Sequence, residues 1–169
     1  MFLDNQRKVK LMSEIETDLI YCGKNLEVLA DFPEDCVDLI YADPPFFSNK
    51  NYEIIWGNGA ELEAFGNRWK GGINVYIEWM KESIYQCWRV LKRTGSMYLH
   101  CDWHTGHRLR VMMDEIFGEN NFQNEIIWHY GLDGSSRTRW QRKHGTIFSI
   151  PNPENGHLIR LWFRLLLEK

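Results

Sequence analysis

The apolar positions change period several times along the chain, and each change marks an element. Asp18-Leu-Ile-Tyr-Cys22 is a short strand-like run stopped by Gly23. Asn25-Leu-Glu-Val-Leu-Ala30 then reads as a short helix with Asn25 as its N-cap, closed before Pro33. Val37-Asp-Leu-Ile-Tyr-Ala42 is β-rich and mostly apolar, which predicts a strand buried on both faces of a parallel sheet, and it stops at Asp43-Pro44-Pro45. Phe46 to about Asn74 holds no period. Tyr76, Met80, Ile84, Cys87 and Leu91 recur at three and four, so a helix is expected there, ended by Lys92, Arg93 and Gly95. Ser96-Met-Tyr-Leu-His-Cys101 is the next strand. Asp102 is expected to cap a helix that carries Leu109, Met112, Met113 and Ile116 on one face and stops at Phe117-Gly118. Phe122 to Tyr130 and Thr146 to Ile150 read as two further strands. Strands alternating with helices predict an α/β domain, mainly parallel, with an antiparallel last pair.

Composition narrows the class. The chain has 169 residues, 44% of them hydrophobic, with eight Trp, seven Tyr and nine Phe, which suits one folded domain and excludes a disordered chain. The N-terminal stretch, Met1 to Glu16, is too charged for a secretory leader, and nothing approaches the roughly 18 uninterrupted apolar residues of a membrane span. A cytoplasmic location is therefore expected. Four cysteines, Cys22, Cys36, Cys87 and Cys101, form no C-x-x-C pair, so reduced thiols are expected and no metal site. The formal net charge of -3 leaves nucleic-acid contact to local patches. The best of these is Arg137, Arg139, Arg142, Lys143 and His144, interleaved with Trp140, which reads equally as a solvated loop. Beyond the breaker-rich Pro151 to Gly156, His157 to Lys169 forms an amphipathic tail. The domain reading is an N-terminal extension (1–17), a catalytic part (18–150) and a divergent tail (151–169).

Ligands of open parallel sheets sit beyond the carboxyl ends of the strands, where Asp43-Pro44-Pro45-Phe46 lies. A carboxylate accepts an N–H, two prolines stiffen the turn and leave carbonyls without local N–H competitors, and Phe46 offers a flat apolar face. That set suits a planar aromatic amine; a simple turn with a local Asx bond is the alternative.

The tetrapeptide and its neighbours resemble the β-class site-specific DNA amino-methyltransferases, whose signature is Asp-Pro-Pro followed by an aromatic residue. Similar blocks are Tyr21 to Leu29, Val37 to Phe46, Ser48 to Tyr52, Arg89 to Lys92, Gly95 to Trp103, Asp114 to Gly118 and Asn121 to Trp128, over roughly residues 18 to 148. The resemblance implies an α/β, partial doubly wound fold, Rossmann-like, with a mainly parallel sheet and helices on both faces. It implies methyl transfer from S-adenosylmethionine to the exocyclic amine of a base flipped from double-stranded DNA. In that reading Asp43, Pro44, Pro45 and Phe46 are catalytic: Asp43 and the Pro44 carbonyl accept the two amine hydrogens, and Phe46 stacks on the base. No cysteine nucleophile is required. Gly23, Asn25 and Asp43 are the candidate cofactor contacts. Trp128 and Tyr130 join Phe46 in the base pocket, Trp128 reading equally as core packing, and Arg137, Arg139, Arg142 and Lys143 would meet phosphates. His100 and Asp102 end their strand at the same sheet edge, His100 being either a satisfied strand-end residue or a contact to cofactor or substrate.

Two departures stand out. The family's Gly-Asp in the first block is Gly23-Lys24 here, and no glycine-rich cofactor turn follows Asp43. Adenine-N6 is expected over cytosine-N4 because Asp, not Ser, begins the tetrapeptide. The alternative from another class is a non-catalytic DNA-binding or assembly subunit. An oligomer or a complementing subunit is a further expectation, since a half-sheet exposes an edge.

Overall fold

The computed structural model describes residues 14–47, 71–131, Thr138, Trp140 and 142–151. Among the described residues the regular elements follow in the order α1 (Asn25–Ala30), β1 (Val37–Ala42), α2 (Ile73–Val90), β2 (Leu91–Cys101), α3 (Gly106–Phe117), β3 (Asn124–His129) and β4 (His144–Pro151), with a 3-10 turn at Glu119–Asn121. Of the aperiodic stretch from Phe46 to about Asn74, residues 48–70 lie outside the described residues, as do the tail beyond Pro151, Arg137 and Arg139; the end of that stretch is corrected, because the helix already begins at Ile73.

The four strands form one sheet in the order β1-β2-β4-β3. β1 pairs parallel with β2, and β4 runs antiparallel to both β2 and β3. Three of the four strands therefore point the same way, and the reversed β4 lies between β2 and β3. The fold is a mixed α/β sheet with helices, as its class predicted.

The core follows from two periods meeting. Tyr76, Met80 and Ile84 line one stripe of α2, and Leu109, Met112 and Met113 line one stripe of α3. Both stripes close on Met97, Leu99 and Cys101, the alternate residues of β2, together with Phe148 and Ile150 of β4. Ser96, Tyr98 and His100 necessarily face the other way. α1 is tied to α2 by Arg89, whose guanidinium donates to the carbonyls of Phe32 (2.9 Å) and Leu29 (2.6 Å). No described helix is long and apolar enough to cross a membrane.

Several local expectations are corrected. Asp18 to Cys22 is not a strand: Asp18 has a φ of 61°, Ile20 is 96% exposed, and the segment pairs with none of the four described strands. β1 is not buried on both faces: Ile40 and Ala42 pack against the core, while the alternate Leu39 and Tyr41, on the opposite face, are 42% and 51% exposed. Asn25 is the first helical residue, not the N-cap; that place falls to Lys24, which pairs with Glu27. α2 ends at Val90 because Leu91 turns extended and packs into the core. Lys92, Arg93 and Gly95 do not terminate the helix but fall in an irregularity at the start of β2. There the register passes from Val37↔Leu91 to Leu39↔Ser96, so four residues of β2 oppose one of β1. Gly95 permits this, because a Cβ would stand 2.7 Å from Leu91 Cδ1 and 3.0 Å from the Asp38 carbonyl. Asp102 does not cap α3, which begins after Thr105; its carboxylate accepts the His104 backbone N–H at 3.1 Å.

Candidate functional site

The register that pairs Ala42 with Leu99 brings the next residues, Asp43 and His100, side by side at the carboxyl ends of β1 and β2. His100 Nδ1 lies 3.0 Å from Asp43 Oδ1, where an imidazole N–H donates to a carboxylate oxygen. The same ring meets Phe46 edge-on, at 5.0 Å between centroids and 88° between planes. The Asp43 side chain is 59% exposed and that of His100 only 16%. Asp43 is therefore open to an incoming donor from solvent.

On the far side of the imidazole, Gly145 of β4 comes so close that a Cβ there would stand 2.7 Å from both His100 Nε2 and the Tyr130 hydroxyl. Nε2 is buried and has no hydrogen-bond partner among the described residues. Tyr130 is held in place by its backbone N–H, which donates to the Lys143 carbonyl at 2.8 Å. Trp128 is paired with Gly145 across β3 and β4 and is 57% exposed. Tyr41 completes the group: partial burial, then the nearby Asp43 and Tyr130, raise its phenol above the usual value. Asp43, Phe46, His100, Gly145, Tyr130 and Tyr41 therefore gather at one end of the sheet face opposite α2 and α3. Its aromatic faces and single solvated carboxylate suit a flat ligand that donates an N–H.

Trp103, after β2, stacks on His104 at 3.6 Å and carries the Arg142 guanidinium 3.5 Å from its ring centroid. Asp102 holds the other side of His104. The last residues of the basic segment are thus fastened beside the site, with Trp140 exposed. Gly23 and Asn25 are exposed at the start of α1, and neither has a hydrogen bond or ring contact to the cluster among the described residues. Burial pushes the Cys87 thiol up to about 11 and the Cys101 thiol up to about 12, and raises Cys36 as well, so these three stay protonated at neutral pH. No group of three or more His, Cys, Asp or Glu is placed to hold a metal ion among the described residues.

Of the residues singled out in the sequence, the structure brings together Asp43, Phe46, Tyr130 and the undecided His100, and it adds Gly145 and Tyr41, which sequence reasoning did not name. The signal for His100 was its place one residue beyond Leu99 on the face away from the core. A clear test of this geometry is Gly145→Ala. Because the added methyl meets a braced imidazole, the variant is expected to lose about 1–3 kcal/mol in urea unfolding. An unchanged midpoint would mean that His100 does not sit against Gly145.

Residues 37–161 match the family model described as DNA methylase. Among curated proteins, the DNA adenine methyltransferase YhdJ of Escherichia coli K12 is 32% identical over 119 residues, 70% of this chain and 35% of that protein. The type II methyltransferase M.BamHI of Bacillus amyloliquefaciens is 34% identical over 137 residues, 73% of this chain and 29% of that protein. The chain thus spans about a third of the length of these relatives. Among solved structures, the cytosine-N4-specific PvuII DNA methyltransferase superposes with a TM-score of 0.51 at 18% identity, covering 79% of this chain and 49% of that one. That likeness establishes the fold, and the matched span, which contains β1, the Asp43 turn and all the later strands, shows that the chain belongs to the N6/N4 DNA methylase family.

Proposed function

We propose that this chain supplies the methyl-accepting side of a DNA amino-methyltransferase, acting on the exocyclic amine of a base flipped out of double-stranded DNA, adenine-N6 ahead of cytosine-N4. The observation that carries the reading is the solvated Asp43 carboxylate at the end of β1, one oxygen engaged by His100 and Phe46 beside it. Asp43 and the Pro44 carbonyl accept the two amine hydrogens, which directs the nitrogen lone pair away from the ring. Phe46 stacks on the base, and Pro45 keeps the turn stiff. Trp128 and Tyr130 flank the pocket. S-adenosylmethionine is the donor that goes with this chemistry, offering an electrophilic methyl. Gly23 and Asn25, exposed at the start of α1, remain with Asp43 the proposed contacts to that donor. The outer edge of β1, the end strand of the described sheet, is assigned to pairing with further polypeptide. The cytoplasm is the matching location.

Incubation with labelled S-adenosylmethionine and mixed-sequence duplex DNA, followed by nucleoside analysis, tests the reading. The chain is assayed alone and joined to the cofactor-binding part of a relative. N6-methyladenine is the expected product; N4-methylcytosine would correct the base, and no labelled nucleoside in either form would overturn the function.

Arg137, Arg139, Arg142 and Lys143 are proposed to meet the phosphate backbone. Four such contacts give a log–log salt slope of roughly -3 to -4 on duplex DNA, and neutralising all four should flatten it. A slope as steep in the changed protein would place the phosphate contacts elsewhere.

A further inference from the structure

We propose that His100 is a positioning residue that fixes the Asp43 carboxylate so that one oxygen alone, Oδ2, faces the amine of the ligand. The proposal rests on the reading of Asp43 as the amine acceptor. His100 comes from a neighbouring strand yet touches both ends of the tetrapeptide: its Nδ1 meets Asp43 Oδ1 at 3.0 Å and its ring meets Phe46 edge-on. An aspartate as exposed as Asp43 would otherwise sample several staggered rotamers and present either oxygen. The imidazole cannot retreat, because Gly145 backs it and leaves no room even for a Cβ. Leu99 and Cys101, buried on the opposite face, fix its direction from the strand. A bond to one carboxylate oxygen therefore becomes a statement about the other. Asp43 offers one directed acceptor, and the second amine hydrogen is left for the Pro44 carbonyl.

The test uses the full chain and a short oligothymidylate bearing one central adenine, compared with the same oligomer bearing purine, which lacks the amine. Binding is read by fluorescence anisotropy. The wild type is expected to prefer adenine by about tenfold, the usual range for a hydrogen bond to a charged group. His100→Leu should bring the ratio close to one. His100→Asn, whose amide N–H can replace Nδ1–H, should restore most of the preference, a rescue that a merely structural role would not give. A His100→Leu variant with the wild-type ratio overturns the proposal. In parallel, ring-nitrogen NMR of the wild type should show Nδ1 of His100 protonated and responsive to Asp43→Asn, a readout that needs no folded His100 variant. If the wild type itself fails to prefer adenine, the amine-acceptor reading of Asp43 falls. The NMR arm then decides for His100, and an Nδ1 that is unprotonated or indifferent to Asp43→Asn overturns its positioning role.

Discussion

On the proposed function, Asp43→Ala is expected to lower methyl transfer by the chain joined to the cofactor-binding part of a relative by about 10²–10³-fold, the loss that follows removal of one preorganised polar group from a reacting centre. Stability should barely change, because the side chain is 59% exposed and its one hydrogen bond among the described residues is to His100. The loss should fall on kcat as well as kcat/KM, since an acceptor that aims the nitrogen lone pair acts most strongly as the new bond forms. Phe46→Ala is expected to do less, about 1–3 kcal/mol of base stacking, and to show chiefly in KM. Measuring both variants in the same active protein separates the two roles. Asp43→Ala with wild-type kcat would remove the carboxylate from the mechanism.

How much of this was legible in the sequence depends on whether a feature is local. The strand through Met97, Leu99 and Cys101 and the helical stripe through Tyr76, Met80 and Ile84 were readable, because each periodicity is set by the residues themselves. The Asp43 turn was readable from residue type and from its place after an apolar run. Exposure of β1 was not, since Leu39 and Tyr41 look like core residues until it is known that the described helices pack on the other face of the sheet. Asp18 to Cys22 failed in the same way: β-like composition forms no strand without a partner for its backbone groups. The early entry into β2 at Leu91 was missed because Lys92, Arg93 and Gly95 form a credible helix stop, while their actual setting is a bulge against Val37 and Leu39. Gly145 carried no readable signal at all. Its importance lies in two side chains that approach it from β2 and from beyond β3, and only the register reveals them.

Leu99→Ala is expected to cost about 2–5 kcal/mol, measured as a lowered urea midpoint at constant slope. Leu99 is fully buried, at the meeting of α2, α3 and β4, so truncation leaves a cavity that close-packed neighbours fill only in part. Against the 5–15 kcal/mol that holds a typical domain, this is enough to unfold a sizeable share of molecules on mild warming. Leu39→Ala, in the adjoining strand but 42% exposed, should cost under about 1 kcal/mol and serves as the comparison. Because strand side chains alternate, the burial of Leu99 also holds His100 on the opposite face, and a one-residue slip would exchange them. Leu99→Ala should therefore loosen His100 against Asp43 and reduce the preference for an adenine amine even at temperatures where the variant remains folded. A variant that unfolds more easily but keeps the full amine preference would show that the site is held by the Asp43–His100 pair and Gly145 alone, without help from the core beneath it.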